Sequence, residues 1–127
     1  MGRRSVLTTV LARLQAMTLH IDTDVTAERF VVGVAGDLDV GTIPKLHDAI
    51  QRAGLSNATA IALDLDGLVS LDDVALGTLA GDLRSLDEQG RQVWIICNNA
   101  TVIGRLERHR LLDFARLVGS AHDITSG

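Results

Sequence analysis

The sequence is poor in the residues that stack on bases and in those that form disulfides. Its 127 residues include no tyrosine, two phenylalanines, one tryptophan, one lysine and one cysteine. Without stacking aromatics or a basic stripe, the chain lacks the pattern of a nucleic-acid-binding protein. A lone cysteine cannot form an internal disulfide, and Cys97, in the apolar segment VWIIC, is predicted to be a small buried side chain on a strand.

Long apolar runs and catalytic motifs are missing as well. No stretch approaches the ~18 apolar residues that a membrane-spanning helix needs, so we expect a cytoplasmic protein without stable membrane insertion. There is no glycine-rich phosphate loop, no Ser/His/Asp arrangement and no Cys/His pair. The histidines lack metal-ligand spacing, and we expect all of them on the surface: His20, His47, His109 and His122. The residues therefore predict a protein that is not an enzyme and holds no cofactor.

What the chain does contain suffices for one folded domain, since 46% of its residues are apolar. The formal charge of −4 is uneven, because residues 1–16, MGRRSVLTTVLARLQA, carry three arginines and no acid, which leaves −7 on residues 17–127. Such a start is typical of a transit peptide or of a short helix on a membrane surface. The simpler interpretation, which we favour, is a poorly ordered extension over 1–16 and one domain over 17–127 that begins with the strand MTLHIDTDV.

The order of the predicted elements indicates an α/β fold. Two strand-like runs, 19–25 and 29–35, are separated by the polar segment TAE and predict an antiparallel pair. The elements that follow are a helix in 41–54 closed by Gly54, a strand in 60–68, a helix with Leu76, Leu79, Ala80, Leu83 and Leu86 on one face and Gly90 after it, a strand in 92–97 and a helix in 101–114. This alternation predicts a mixed sheet of four or five strands, with right-handed crossovers and helices packed on it.

Acidic pairs follow the predicted strands, at the sheet edge where α/β proteins bind ligands. They are Asp37 with Asp39, Asp64 with Asp66, and Asp72 with Asp73. Converging carboxylates could hold Mg²⁺ and accept a phosphoryl group, but such a site also needs a cation, and Lys45 lies on the predicted first helix. Alternatively, Asp72 or Asp73 caps the second helix, Thr42 caps the first, and Asp39 is a solvated turn residue.

Two segments resemble landmarks of a known family. VVGVAGDLDVGTIPKL, residues 31–46, is similar to the GELD strand and first helix of STAS domains, the fold of bacterial anti-sigma factor antagonists. IALDLDGLVSLDDVALGTLAG, residues 61–81, is similar to that family's LDLSGV strand, which is followed by DSSGLG and an amphipathic helix. The resemblance covers residues 17–118 and implies a STAS-like mixed sheet.

The resemblance also implies a site for a protein partner. In that family the serine after the aspartate of DSSGLG is phosphorylated by an anti-sigma factor that is also a serine kinase, of the histidine-kinase-like ATPase type, and phosphorylation breaks the complex. Matched by position, Asp72 is the family aspartate, Asp73 stands at the phosphoserine, and Asp39 is the aspartate of GELD. The rest of the motif falls on Val74, Ala75, Leu76 and Gly77, with Ser70 and Thr78 flanking it.

Aspartate at position 73 changes what the resemblance implies. It has no hydroxyl to phosphorylate, and it carries one negative charge where phosphoserine carries about −1.5 to −2. Asp73 could imitate the phosphorylated state and weaken binding, or the protein could be an antagonist that phosphorylation never inactivates. We expect the contact surface in the loop 69–74 and on the exposed face of 75–89, where Arg84 lies.

The same fold leaves two alternatives open, and it leaves the oligomeric state unspecified. Small STAS proteins also serve as adaptors for the ATPases of ABC transporters. A function of a different class would be a Mg²⁺-dependent phosphoryl-accepting site made of Asp64, Asp72 and Asp73. The function that we expect first is that of a binding module for an anti-sigma factor.

Overall fold

The computed structural model describes residues 18–124, and these residues form a five-stranded sheet with the strand order β1-β2-β3-β4-β5. The strands are β1 Leu19–Val25, β2 Arg29–Leu38, β3 Ala60–Leu71, β4 Gln92–Ile96 and β5 Arg116–Val118. The helices are α1 Ile43–Leu55, α2 Asp73–Glu88 and α3 Ala100–Arg108, with short 3-10 helices at Leu111–Asp113 and Ala121–Asp123. The extension predicted over 1–16 lies outside the described residues.

The sheet is mixed, as the alternation of strand and helix periods predicts. β1 pairs with β2 in antiparallel orientation, whereas β2, β3, β4 and β5 are parallel to one another. Parallel neighbours need a crossover, and α1 and α2 provide the first two. β5 has three residues, too few for a period to be recognised in the sequence.

The main core lies between one face of the sheet and the helices. Along β2, buried and half-buried residues alternate strictly, which is the period of a strand with one face in the core. On α2, the leucines spaced for one helical face are buried, as predicted: Leu76, Leu79, Leu83 and Leu86. Burial of each such side chain contributes about 1.5–3 kcal/mol. A smaller cluster on the opposite sheet face contains Ala60, Ala62, Trp94, Ile96 and Ile124.

The ends of two helices differ from the sequence prediction. Gly54 does not close α1, which continues to Leu55 with Ser56 at the C-cap position. The Arg91 guanidinium donates to four carbonyl oxygens at this end, those of Ala53, Gly54, Ser56 and Ala58. Because Arg91 satisfies these groups, no left-handed glycine is needed there. At the end of α2, by contrast, Gly90 has φ +81, as expected for its predicted role.

The third helix ends at Arg108 and does not reach residue 114. Arg110 has φ 63, a left-handed conformation that interrupts the helix. The chain then enters the 3-10 turn at Leu111–Asp113, where Leu111 is buried in the main core. The apolar pattern continues past the break because Leu111 and Leu106 pack in the same core, so periodicity alone could not reveal the interruption.

β3 is longer than predicted, and Asp64 and Asp66 lie within it and not at its end. Pairing with β4 stops at Asp64, but pairing with β2 continues to Leu71, with register shifts along the way. Gly67 permits this close pairing, because a Cβ there would lie 2.8 Å from the Ala35 Cβ. The longer β3 carries the chain to the start of α2.

Candidate functional site

The end of β2, the end of β3 and the start of α2 meet at one side of the sheet. Leu38 pairs with Leu71, and the Asp72 N–H donates to the Leu38 carbonyl oxygen at 2.9 Å. We call this region, residues 37–42 and 69–78, the α2 edge. It contains Asp39, Ser70 and the residues that match the family's phosphorylation-site motif, and Arg105 and His109, on α3 and at its C-cap, lie beside it.

Asp72 is the N-cap of α2. Its backbone is extended, and its carboxylate accepts a hydrogen bond of 2.7 Å from the Val74 N–H. This arrangement satisfies one of the free N–H groups at the start of the helix. Of the two aspartates that could cap α2, the structure therefore assigns the role to Asp72, and Asp73 becomes the first residue of the helix.

The Asp73 side chain is 66% exposed but has two partners, one on α3 and one at its C-cap. Its carboxylate accepts a hydrogen bond of 2.5 Å from Arg105 Nη2, and His109 Nε2 lies 3.2 Å from the same oxygen. The Arg105 guanidinium, helped by His109, holds the pKa of the Asp73 carboxyl below its ordinary value. Asp73 is therefore ionised near neutral pH.

Sequence reasoning missed both partners of Asp73, and it placed His109 among the surface residues. Arg105 and His109 are each 27% exposed. His47 is likewise more than a surface residue, since its Nδ1 lies 2.9 Å from the Asp82 carboxylate. The available signal was the i, i+4 spacing of Arg105 and His109, which places both on one helical face.

Asp39 shapes the loop between β2 and α1. Its carboxylate accepts hydrogen bonds from the backbone N–H groups of Gly41, at 2.9 Å, and Thr42, at 3.0 Å. The Thr42 hydroxyl donates to the Asp37 carbonyl oxygen and does not cap α1. Thr42 holds the N-cap position of α1, as predicted, but its side chain makes no capping bond, and Asp39 is a loop-organising residue and not a merely solvated one.

Ser70 adds a contact between the two strands that reach the α2 edge. Its hydroxyl donates to the Asp37 carboxylate at 2.6 Å. Ser70 is exposed near the end of β3. This bond ties β3 to the beginning of the loop that Asp39 shapes.

Three valines at the α2 edge are exposed to solvent. Val40, Val69 and Val74 are 60%, 78% and 65% exposed. Exposed apolar side chains in one region of a surface are typical of sites where proteins associate, and we call these three valines the apolar patch.

The remaining motif positions on α2 differ in their exposure to solvent. Gly77 and Thr78 are exposed, whereas Ala75 is fully buried in the main core. Ala75 therefore supports the site from within and has no side-chain surface for a contact. Further along α2, the exposed Arg84 places its guanidinium 5.1 Å from the centre of the Phe114 ring.

The geometry does not support a magnesium site made of Asp64, Asp72 and Asp73. Within residues 18–124, no group of three or more histidine, cysteine, aspartate or glutamate side chains is arranged to hold a metal ion. Eight residues of mostly extended chain place Asp64 roughly 25 Å from Asp72. The Asp66 carboxylate is also engaged, because Asn98 donates to it through its backbone N–H and its side-chain amide, both at 2.7 Å.

The comparison with protein families decides the classification. Residues 20–124 match the model of the STAS domain. The chain belongs to the STAS domain family. A curated relative, the anti-sigma-B factor antagonist of Staphylococcus aureus (strain NCTC 8325 / PS 47), is 29% identical over 90 residues, which are 71% of this chain and 82% of the relative.

Solved structures of STAS proteins have the same fold. An anti-sigma factor antagonist from Mycobacterium paratuberculosis superimposes with a TM-score of 0.73 at 21% identity, over 84% of this chain and 90% of that one. The antagonist SpoIIAA in its unphosphorylated form gives a TM-score of 0.66 at 19% identity, over 84% and 91%. The STAS resemblance and the mixed α/β sheet are thus confirmed. No helix within residues 18–124 is both long enough and apolar enough to span a membrane.

Proposed function

We propose that this STAS protein is an anti-sigma factor antagonist that binds an anti-sigma factor of the histidine-kinase-like ATPase type through the α2 edge. Asp73 occupies the position of the family's phosphorylated serine, so the partner's kinase activity has no acceptor hydroxyl there. The relatives' names support the general role. The partner type and the role of Asp73 are the finer parts of the proposal.

The observation that carries the proposal is the exposed apolar patch at the α2 edge. Val40, Val69 and Val74 come from a loop, a strand and a helix, and each is more than half exposed. Burying them under a partner would favour binding by about 25 cal/mol for each Å² of apolar surface removed from water. Asp72 and Asp39 hold the two backbone segments that present these valines.

A binding role also fits the state of the acidic side chains. Asp39 and Asp72 accept backbone N–H bonds, and Asp73 pairs with Arg105. Groups engaged in this way organise the loop and the helix start at the α2 edge. The adaptor role at a transporter ATPase would use the same fold, but the antagonist role has the support of the curated relatives.

The test measures binding of the full chain to purified anti-sigma-B factor of Staphylococcus aureus by titration calorimetry, with the staphylococcal antagonist as the positive control. Val69→Asp and Val74→Asp place a charge in the apolar patch, and each should weaken binding by about tenfold or more. The matched control is Leu55→Asp, because Leu55 is 86% exposed at the far end of α1.

Two outcomes would contradict the proposed function. In the first, the staphylococcal antagonist binds but neither this chain nor its Asp73→Ser variant does. In the second, Val69→Asp and Val74→Asp bind as tightly as the unmodified chain. Addition of ATP gives a further check, because only Asp73→Ser should acquire a phosphate at position 73.

A further inference from the structure

Arg105 on α3 and His109, the C-cap residue of that helix, hold the Asp73 carboxylate. Arg105 and His109 are four residues apart and face the start of α2. The Arg105 guanidinium donates to Asp73 with one terminal nitrogen and to the Leu71 carbonyl oxygen with the other. Because a guanidinium is planar and both ends are engaged, Arg105 is fixed in position beside Asp73.

The charges in this cluster balance. Arg105 carries one positive charge at any physiological pH, and ionised Asp73 carries one negative charge. His109, at the C-cap of α3, lies within hydrogen-bond distance of the same carboxylate oxygen. A phosphoserine, with about −1.5 to −2, would exceed the charge of Arg105, whereas an aspartate does not.

We propose that Arg105 neutralises Asp73 within the chain, with His109 beside the same carboxylate, so that the α2 edge presents the charge of an unphosphorylated antagonist and binds its partner constitutively. This inference rests on the proposed function. It decides between the two opposite roles that the sequence allows for Asp73. An imitation of phosphate must present uncompensated negative charge to the partner, and Asp73 directs its charge to α3 instead.

The first experiment measures the charge balance without any partner. The carboxyl carbon of Asp73 is followed by NMR through an acid titration of the full chain, of Arg105→Gln and of Arg108→Gln. Arg108 is the matched control, because it is exposed on the same helix. We expect a midpoint below the ~3.9 of a free aspartate, raised by Arg105→Gln and unchanged by Arg108→Gln. Identical midpoints in all three chains would overturn the inference.

The second experiment measures affinity for the anti-sigma factor probe defined above. The unmodified chain, Asp73→Ser and Asp73→Asn should bind within about threefold of one another, because the charge of Asp73 is already compensated. Arg105→Gln should weaken binding by about tenfold or more, since it uncovers the charge of Asp73.

A double variant separates the charge of Arg105 from its bond to Leu71. Arg105→Gln combined with Asp73→Asn removes both charges, and it should recover most of the affinity that Arg105→Gln alone loses. If the double variant remains as weak as Arg105→Gln, the effect comes from loss of the Leu71 bond and the inference is wrong. Circular dichroism confirms that each variant is folded.

The failures of the two proposals can be distinguished. If Asp73→Ser binds the probe about tenfold or more tightly than the unmodified chain, Asp73 imitates phosphate and the inference is overturned while the proposed function stands. If no variant binds, the proposed function is overturned together with the constitutive role.

Discussion

The structure predicts that Arg91 is a principal source of stability, although it lies far from the α2 edge. Its guanidinium donates at 2.8 Å to the carbonyl oxygens of Gly54, Ser56 and Ala58, and at 3.5 Å to that of Ala53. One side chain thus joins the end of α1 to the start of β4. Replacement by methionine would keep the apolar stem and remove the donor that Arg91 provides to the carbonyls of Gly54, Ser56 and Ala58, whereas the Ala53 carbonyl would keep its bonds from Ser56.

The magnitude follows from the number of bonds. Hydrogen bonds to a charged group contribute about 1.5–3 kcal/mol when buried, and Arg91 is half-buried, so about 1 kcal/mol for each of the three short bonds is appropriate. Arg91→Met should therefore lower the free energy of unfolding by about 3 kcal/mol. For a domain of this size the midpoint of thermal unfolding should fall by about 12 °C or more.

The assay is urea unfolding followed by circular dichroism, with two comparison variants. Arg91→Lys keeps the charge but loses the planar fork, so its free energy of unfolding should lie between those of the unmodified chain and Arg91→Met. Arg52→Met is the matched control, because Arg52 is exposed in the last turn of α1, and it should cost no more than about 0.5 kcal/mol. A loss of less than about 1 kcal/mol for Arg91→Met would refute the argument.

Three further predictions concern the site and its surroundings. Asp72→Ala should destabilise the protein by about 1 kcal/mol through loss of the α2 cap, whereas Asp72→Asn, which can still cap, should cost less; equal losses in urea unfolding would contradict the capping role. Because the pKa of Asp73 is lowered, its ion pair stabilises the fold above about pH 4, and this stabilisation is lost as the pH falls through the lowered pKa. The unmodified chain should therefore be more stable than Asp73→Asn near neutral pH and lose that advantage in acid. An advantage that persists below about pH 2 would refute this. Burial raises the pKa of the Cys97 thiol, so its reaction with a maleimide should be at least about a hundredfold slower in the folded than in the unfolded chain.

The repeating patterns of the sequence predict the architecture well. The alternation along 29–35 and the leucine spacing of α2 depend only on which side of a strand or helix each residue occupies. The order of strand and helix periods then favours a mixed sheet with parallel strands. Two landmark segments were enough to identify the STAS family, because they place specific residues at fixed positions relative to a strand end and a helix start.

The ends of the elements were less predictable. Gly54 carries the usual mark of a helix end, but Arg91, more than thirty residues later, satisfies the carbonyls there and α1 continues. The interruption at Arg110 is hidden because Leu111 maintains the apolar pattern. At α1, therefore, a contact distant in sequence overrides a local preference.

The candidate site, too, was predictable from the sequence only in part. The sequence by itself determined that Asp72 and Asp73 stand where an apolar strand meets an amphipathic helix, since that conclusion needs only the neighbouring residues. Only the tertiary structure decided which of them caps the helix, and that Arg105 and His109, more than thirty residues away, hold the other. The physical reason is that periodicity records the side on which a residue lies, whereas a charge pair between two helices depends on how those helices pack on the sheet.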